Sequence, residues 1–317
     1  MLTDLELKAF NAFLVELYGS ARDHHPSLFR RRTLQNLRKL LPFDFGAWGG
    51  GTAVDRMVTD VAILDQSADL FQAWESVASS DTYCDLALKF LNKTVAFNDV
   101  KGFRRSIAYN EHWRQFDARN MIATITPEPA DGYVSFLGLC NSDSSNNFTA
   151  KHRYLKQLLM PHLSGALRMN REAAIDCRPA PDESVAVINC VGQVLLSRQS
   201  IDALLHEEWG PWQKGVPASI LPGRGQSRRW RGRAVLIDIE PIGDNFLLKA
   251  HLLRPEERLT PRETQVAVLF AQGLSHKEVS CELGVAPATV RNHIANIYDR
   301  LKISDKANLA RLLSSTV

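Results

Sequence analysis

The chain has 317 residues, 45% of them hydrophobic and 23% charged, with a formal net charge of +3. That length accommodates two or three domains, the composition is that of an ordinary globular protein, and the small net charge excludes a chain that holds nucleic acid through bulk positive charge. Five cysteines at 84, 140, 177, 190 and 281 form no C-x-x-C pair and no metal-ligand spacing, the pattern of a reduced, cytoplasmic protein. The opening MLTDLELKAFNAFL mixes charge with apolar residues at helical spacing, unlike a signal peptide, and no stretch approaches the roughly 18 apolar residues of a membrane span.

In chain order, apolar spacing predicts a helix over 5–18, with Leu7, Phe10, Leu14 and Leu17 on one side, and an Arg-rich helix over 26–41 that Pro42 ends. F-D-F-G-A-W at 43–48 alternates with period two and reads as a strand. The glycines at 49–51 after it are no phosphate loop, because no Lys-Ser/Thr follows. A second strand is expected over 58–64, helices over 69–79, 83–92 and 109–120, and strands over 121–126 and 132–139. Residues 141–147 read as a polar turn. A long amphipathic helix over 148–173 carries Leu155, Leu158, Leu159, Leu163 and Leu167 as its stripe and Pro161 as a kink. Helices around antiparallel strands make residues 1–176 one α+β sensor domain.

A Pro-rich linker at 178–182 follows. Strands over 184–188 and 194–197 form a hairpin around Gly192, then come a helix over 201–209 and strands over 229–240 and 245–253 that turn at 241–244. Residues 183–253 are thus a second, small α+β domain. No internal repeat is visible. No early strand ends in paired acidic residues, so a phosphate-accepting receiver domain is not expected.

The last segment, 255–317, reads as four helices. Thr260 with Glu263, and Ser275 with Glu278, are capping boxes opening two helices. Gly273 and Gly284 stop them. The third helix starts at Pro287, without a capping Ser at Ala286, and stripes Val290, Ile294, Ile297 and Leu301 on one side. Thr289, Arg291, Asn292, His293 and Asn296 lie opposite. Two short helices around a tight glycine turn, the second with a basic, amide-rich outer face, make a helix-turn-helix. Arg can grip a guanine edge and Asn an adenine edge, whereas Lys277, Thr289 and His293 suit phosphate oxygens.

This segment resembles the LuxR-type helix-turn-helix, through L-T-P-R-E at 259–263, Gly273-Leu274-Ser275, Lys277-Glu278, Leu283-Gly284-Val285, T-V-R-N-H-I at 289–294, Ile297-Tyr298, Leu301 and Ala307. The resemblance implies base contacts from Arg291, Asn292 and Ala295, backbone contacts from Lys277, Thr289 and His293, and a last helix that dimerises. Together with Val290 and Asn296, these make the expected double-stranded DNA site. The run F-T-A-K-H-R-Y-L-K-Q-L-L-M-P-H-L at 148–163 resembles the GAF-like domains that precede such units, and 183–253 resembles a small PAS-like domain. The resulting fold class is an α+β GAF/PAS-like sensor region followed by an all-α four-helix LuxR-type domain.

A ligand pocket for a small-molecule effector is expected in the first domain, with aromatic walls from Trp48, Tyr83, Trp113 and Tyr133, joined by Trp74, Phe116 and Phe136. Asp81, Asp85 and Arg104 are the groups that could fix a polar head. His24-His25 and the pair His152 and His162 lack Cys or carboxylates at ligand spacing, so no metal is expected, and His206 reads as an ordinary helix residue rather than a haem ligand. No cofactor is expected. The arginines at 224, 228, 229, 231 and 233 read as a charged strand edge that deters pairing, with a second phosphate patch as the alternative. No Ser-His-Asp constellation, carboxylate pair or Gly-x-Ser-x-Gly is present, so the sequence does not read as an enzyme's. The function expected is a transcription regulator reading DNA as a homodimer. The alternative is a module docking on partners such as RNA polymerase.

Overall fold

The computed structural model describes residues 3–175, 182–198, 201–211, 215–254 and 256–314. Of the linker expected at 178–182 only Asp182 is among them, and Cys177 and Pro255 lie outside them. The chain forms two compact units, Met1–Trp230 with Ile237–Ala250, and Arg231–Leu236 with His251–Val317.

The first unit begins with helices α1 (Asp4–Asp23) and α2 (Pro26–Leu40). Strands β1 (Phe45–Thr52) and β2 (Met57–Leu64), helices α3 (Leu70–Glu75) and α4 (Thr82–Lys89), and strands β3 (Val95–Ala96), β4 (Asn120–Pro127) and β5 (Tyr133–Asn141) follow, before the long helix α5 (Ala150–Ile175). The strands make one antiparallel sheet in the order β2-β1-β5-β4-β3. Alternation along each strand divides the side chains between two cores. Trp48, Ile122, Leu137 and Leu139 face α1, α2 and α5, with Phe29, Leu34, Leu37, Leu159 and Leu163 against them. Ala47, Met121, Ala123 and Ile125 face the opposite layer of α3, α4 and short turns, where Phe71, Trp74, Tyr83, Phe97, Phe103, Tyr109 and Trp113 collect.

Several elements differ from their sequence reading. Strand β1 continues through Gly49, Gly50 and Gly51 instead of ending before them. A methyl group on Gly50 would strike the Tyr133 ring and hydroxyl, and one on Gly49 the Phe136 ring and the Asp60 carbonyl, so the glycines admit side chains from β5. Residues 109–120 form no α-helix but a π-helical turn, Tyr109–Trp113. It is closed by Arg114 N–H donating to the Tyr109 carbonyl at 2.8 Å, and Asp117 then stops the chain at φ +56°. Leu158 faces outward, 37% exposed. Helix α5 runs on through Pro161, whose ring leaves the Gln157 carbonyl without its helical donor.

A second antiparallel arrangement follows: β6 (Ser184–Ile188), β7 (Val194–Arg198), helix α6 (Ile201–Trp209), β8 (Arg228–Arg231), β9 (Val235–Ile242) and β10 (Asn245–Leu252). The single strand expected over 229–240 is two, because Gly232 N–H donates to the Val235 carbonyl at 2.8 Å and reverses the chain. The sheet order is β7-β6-β10-β9-β8. Counted from its own first strand, this is the order of the first sheet. Val185, Val187, Leu195, Ile242 and Leu247 close on Tyr133 and Ile175. No described helix is long and apolar enough to cross a membrane.

The second unit's helices are α7 (Pro261–Ala271), α8 (His276–Leu283), α9 (Pro287–Leu301) and α10 (Lys306–Ser314). They share one core, in which Val266, Ala267, Val279, Val290, Ile297 and Leu309 are fully buried.

Candidate nucleic-acid interface and apolar cavity

Both predicted capping boxes form. Thr260 and Glu263 bond reciprocally at the start of α7, and Ser275 and Glu278 at the start of α8. Gly284 ends α8 in the left-handed conformation, φ 63°, and Val285 N–H reaches back to the Ser280 carbonyl at 3.0 Å, which fixes the turn into α9. Arg262 donates to the Leu283 carbonyl at 2.8 Å, tying α7 to the end of α8. Arg300 lies 3.2 Å from the Glu263 carboxylate, tying the end of α9 to the start of α7. Burial works to raise the Glu263 carboxyl, and the Thr260 hydrogen bonds with the Arg300 charge override it and hold it below the ordinary value. Lys306 donates to the Gly273 and Leu274 carbonyls at 2.8 and 2.9 Å and sits 4.3 Å over the Phe270 ring. These links hold α9 with Val290, Ile294, Ile297 and Leu301 inward. Thr289, Arg291, Asn292, Ala295 and Asn296 are left exposed, with Lys277 exposed on α8.

The first unit holds an apolar cavity of about 90 Å³ between the first sheet and the α3–α4 layer, bounded by Val58, Phe71, Trp74, Trp113, Met121 and Ile125 among others. Asp81, fully buried, lies in its wall. One carboxylate oxygen of Asp81 accepts the indole N–H of both Trp74 and Trp113, each at 2.8 Å. The other accepts the backbone N–H groups of Tyr83 and Cys84 at 3.0 and 3.1 Å, capping α4. Tyr83 donates its hydroxyl to the Val95 carbonyl at 2.9 Å. Burial pushes the Cys84 thiol up to about 12, with the Asp81 charge adding to it.

Residues 257–313 match the family model for bacterial regulatory proteins of the luxR family. The chain is 46% identical over 56 residues to the transcriptional regulatory protein UhpA of Escherichia coli K12, a stretch covering 18% of this chain and 29% of that one. The transcriptional regulatory protein LiaR of Bacillus subtilis is 41% identical over 76 residues, 24% of this chain and 33% of that one. The C-terminal unit is a LuxR-type helix-turn-helix domain. The chain covers about a third or less of the length of these curated relatives. Among solved structures, the VqsR LBD domain from Pseudomonas aeruginosa aligns with 52% of this chain and 98% of its own, at 15% identity and a TM-score of 0.41, too slight a likeness to build on.

Within the LuxR-type domain the predicted residues separate. Thr289, Arg291, Asn292 and Asn296 share the outer face of α9. Val290 does not join them: it is completely buried in the core and supports the helix from within, as its place in the apolar stripe requires. His293 is half-buried and close enough to Glu263 for its charge to lower that carboxyl. Sequence reasoning missed Arg262, Arg300 and Lys306, whose partners are carbonyls and a carboxylate that only the folded chain brings near. In the first unit, Tyr83 and Trp113 line the cavity and Trp48 and Tyr133 do not. Trp48 points to the opposite face of the sheet, against Phe29 at 5.7 Å, and the Tyr133 hydroxyl is held by Asp60 and Thr59. Asp85 turns to Arg56 and Arg104 to Asn120, so neither offers a polar anchor. In the arginine run, Arg224 pairs with Asp244 at 2.6 Å, Arg229 with Asp238 at 2.7 Å, and Arg228 donates to the Ser219 carbonyl at 3.0 Å. These internal partners favour a braced strand edge over a phosphate patch. Among the described residues no group of three or more His, Cys, Asp and Glu side chains is placed to hold a metal ion.

Proposed function

We propose that this chain is a sequence-specific transcription regulator whose α9 enters the major groove of double-stranded DNA. The carrying observation is the row Arg291, Asn292 and Asn296: exposed, without side-chain partners among the described residues, and mounted on a helix fixed by its core. Arg291 reads a guanine edge and Asn292 or Asn296 an adenine edge, while Lys277 and Thr289 contact phosphates and set the register. His293, facing Glu263 on one side, contributes at the rim of this surface. The protein acts as a homodimer on two half-sites one helical turn apart, and α10 is the dimer-forming element that the family resemblance assigns. The two α+β modules, read as GAF-like and PAS-like, are the sensor, and the apolar cavity is its effector site. The cytoplasm is the compartment proposed for this action.

The test is selection of duplex sites from genomic DNA by the full-length protein, followed by footprinting with no other protein present. Protection of a two-fold-related pair of half-sites is the expected result. Absence of any footprint on isolated DNA, with capture of RNA polymerase instead, would replace DNA reading with partner docking.

A further inference from the structure

Three buried side-chain atoms without a hydrogen-bond partner among the described residues belong to residues around one small cavity. They are Asn170 Oδ1 and Arg171 Nε on α5, and Asn245 Oδ1 at the start of β10. Their residues are 2%, 5% and 8% exposed. The cavity, of about 30 Å³, lies where the two α+β modules meet, and Arg30, Asp60 and Asp244 also border it. Asn170 donates its amide nitrogen to the Ala21 and His24 carbonyls at 2.9 and 2.8 Å, so its oxygen is the atom left over. Arg171 gives one terminal nitrogen to Glu128 at 3.1 Å, which leaves Nε. The Asp60 carboxylate is taken by the Tyr133 hydroxyl and by Arg30 at 2.6 Å. The walls are held apart by backbone contact. A methyl group on Gly243, in the β9–β10 turn at φ +65°, would lie 3.2 Å from the Ser27 backbone, so the turn already sits close against α2.

We propose that this cavity binds one or two water molecules, which donate to Asn170 Oδ1 and Asn245 Oδ1, accept from Arg171 Nε, and so join α5 of the first module to β10 of the second. Size sets the first limit: one water needs roughly 10–15 Å³, and about 30 Å³ admits nothing much larger than two. Charge sets the second. A cation such as sodium or ammonium would face the Arg30 and Arg171 guanidiniums, and an anion would face Asp60, Asp244 and two amide oxygens. The ligand must also both donate and accept, because the three atoms are two acceptors and one donor. Water does both, and three partners are usual for a buried one. A bridging water is nearly as favourable as a direct bond, whereas leaving three buried polar atoms unpaired costs more than their bonds contribute. The contact between the modules is thus a hydrated polar joint beside the apolar cluster of Tyr133, Ile175, Val185 and Val187.

The test is a crystal structure of the full-length protein at a resolution that shows ordered water, with parallel crystals soaked in sodium bromide and in thallium acetate. One or two density peaks within about 2.7–3.2 Å of Asn170 Oδ1, Asn245 Oδ1 and Arg171 Nε are expected, without an anomalous signal from either soak. A bromide or thallium peak in the cavity overturns water and makes the site one for an anion or a monovalent cation. Side chains bonded directly to one another, with no density between them, overturn the site itself. In solution, the Arg171 Nε proton should show cross-relaxation with water in NMR. Arg171 also borders an open groove with Arg168 and Ser197, so two variants locate the water. Asn245→Leu occupies the cavity and removes an acceptor, and should lose the cross-peak. Asn245→Ala leaves the room and should keep it. A cross-peak that survives in Asn245→Leu places the water in the groove and overturns the proposal.

Discussion

Lys156 shows how the folded surroundings of a charged side chain decide its contribution to stability. Next to Leu155 on α5, it is completely buried, its Nζ 2.5 Å from Thr124 Oγ1 and without an ion pair among the described residues. Burial pushes its pKa well below the ordinary lysine value. A group that must lose its proton or stay unpaired in a core is destabilising, so Lys156→Met should stabilise the protein by about 1–3 kcal/mol at neutral pH, read as a higher urea midpoint. Asp60 is the opposite case. Burial works to raise its pKa, but Arg30 at 2.6 Å, the Arg171 charge and the Tyr133 hydroxyl override it and hold the carboxyl below the ordinary value. Asp60→Asn should cost about 3–5 kcal/mol at pH 7, because it leaves the buried Arg30 with only the more distant Asp244, at 3.8 Å, as a counter-charge. A carboxyl depressed in the folded state contributes stability that is present above its unfolded pKa and is lost as pH falls through its folded one. The gap between wild type and Asp60→Asn should therefore hold from pH 7 to about 4 and close below that. A gap that stays constant down to pH 2 would assign the stability to packing instead of charge.

At the scale of elements, sequence signals were clear wherever structure is local. Capping boxes, glycine stops and the α9 stripe each depend on residues within one turn of each other, and all three are found as written. What depended on distant partners was not legible. Strand β1 runs through three glycines because Tyr133 and Phe136, more than eighty positions on, need their space. Asp81 looked like a free head-group anchor because nothing in its neighbourhood of the sequence announces Trp113, thirty-two positions away. Trp48 and Tyr133 looked like cavity walls because an aromatic residue on a strand can face either side, and register alone decides which. Cap chemistry also leaves one element improvable. Ala286 has the extended backbone of an N-cap, φ −69° and ψ 144°, but no side-chain hydrogen bond. Ala286→Ser should supply an acceptor for the first-turn amides and stabilise α9 by about 1 kcal/mol. The check is amide hydrogen exchange in the first turn of α9, which should slow by about fivefold; unchanged exchange there would mean the turn is already held by its tertiary links to α7 and α8.

For the molecule as a whole, a formal charge of +3 on 317 residues leaves little general attraction to DNA, and many arginines of the first unit are spent internally: Arg30 on Asp60, Arg153 on Asp99, Arg171 on Glu128, Arg224 on Asp244 and Arg229 on Asp238. On the proposed function, affinity then comes from the few exposed cations of the LuxR-type domain, which makes the partition between positioning and reading measurable. Counterion release ties each phosphate contact to about 0.9 of a unit in the slope of log affinity against log salt. Lys277→Ala should flatten that slope by about one unit per protomer and weaken cognate and scrambled duplexes alike. Arg291→Ala should cost about 1–3 kcal/mol on the cognate duplex, leave the scrambled one nearly unchanged, and relax preference at one base pair. Equal losses on both duplexes would make Arg291 a phosphate contact and shift base reading to Asn292 and Asn296. Because the two variants move different coordinates of one titration, slope against discrimination, the measurement assigns each residue without a structure of the complex.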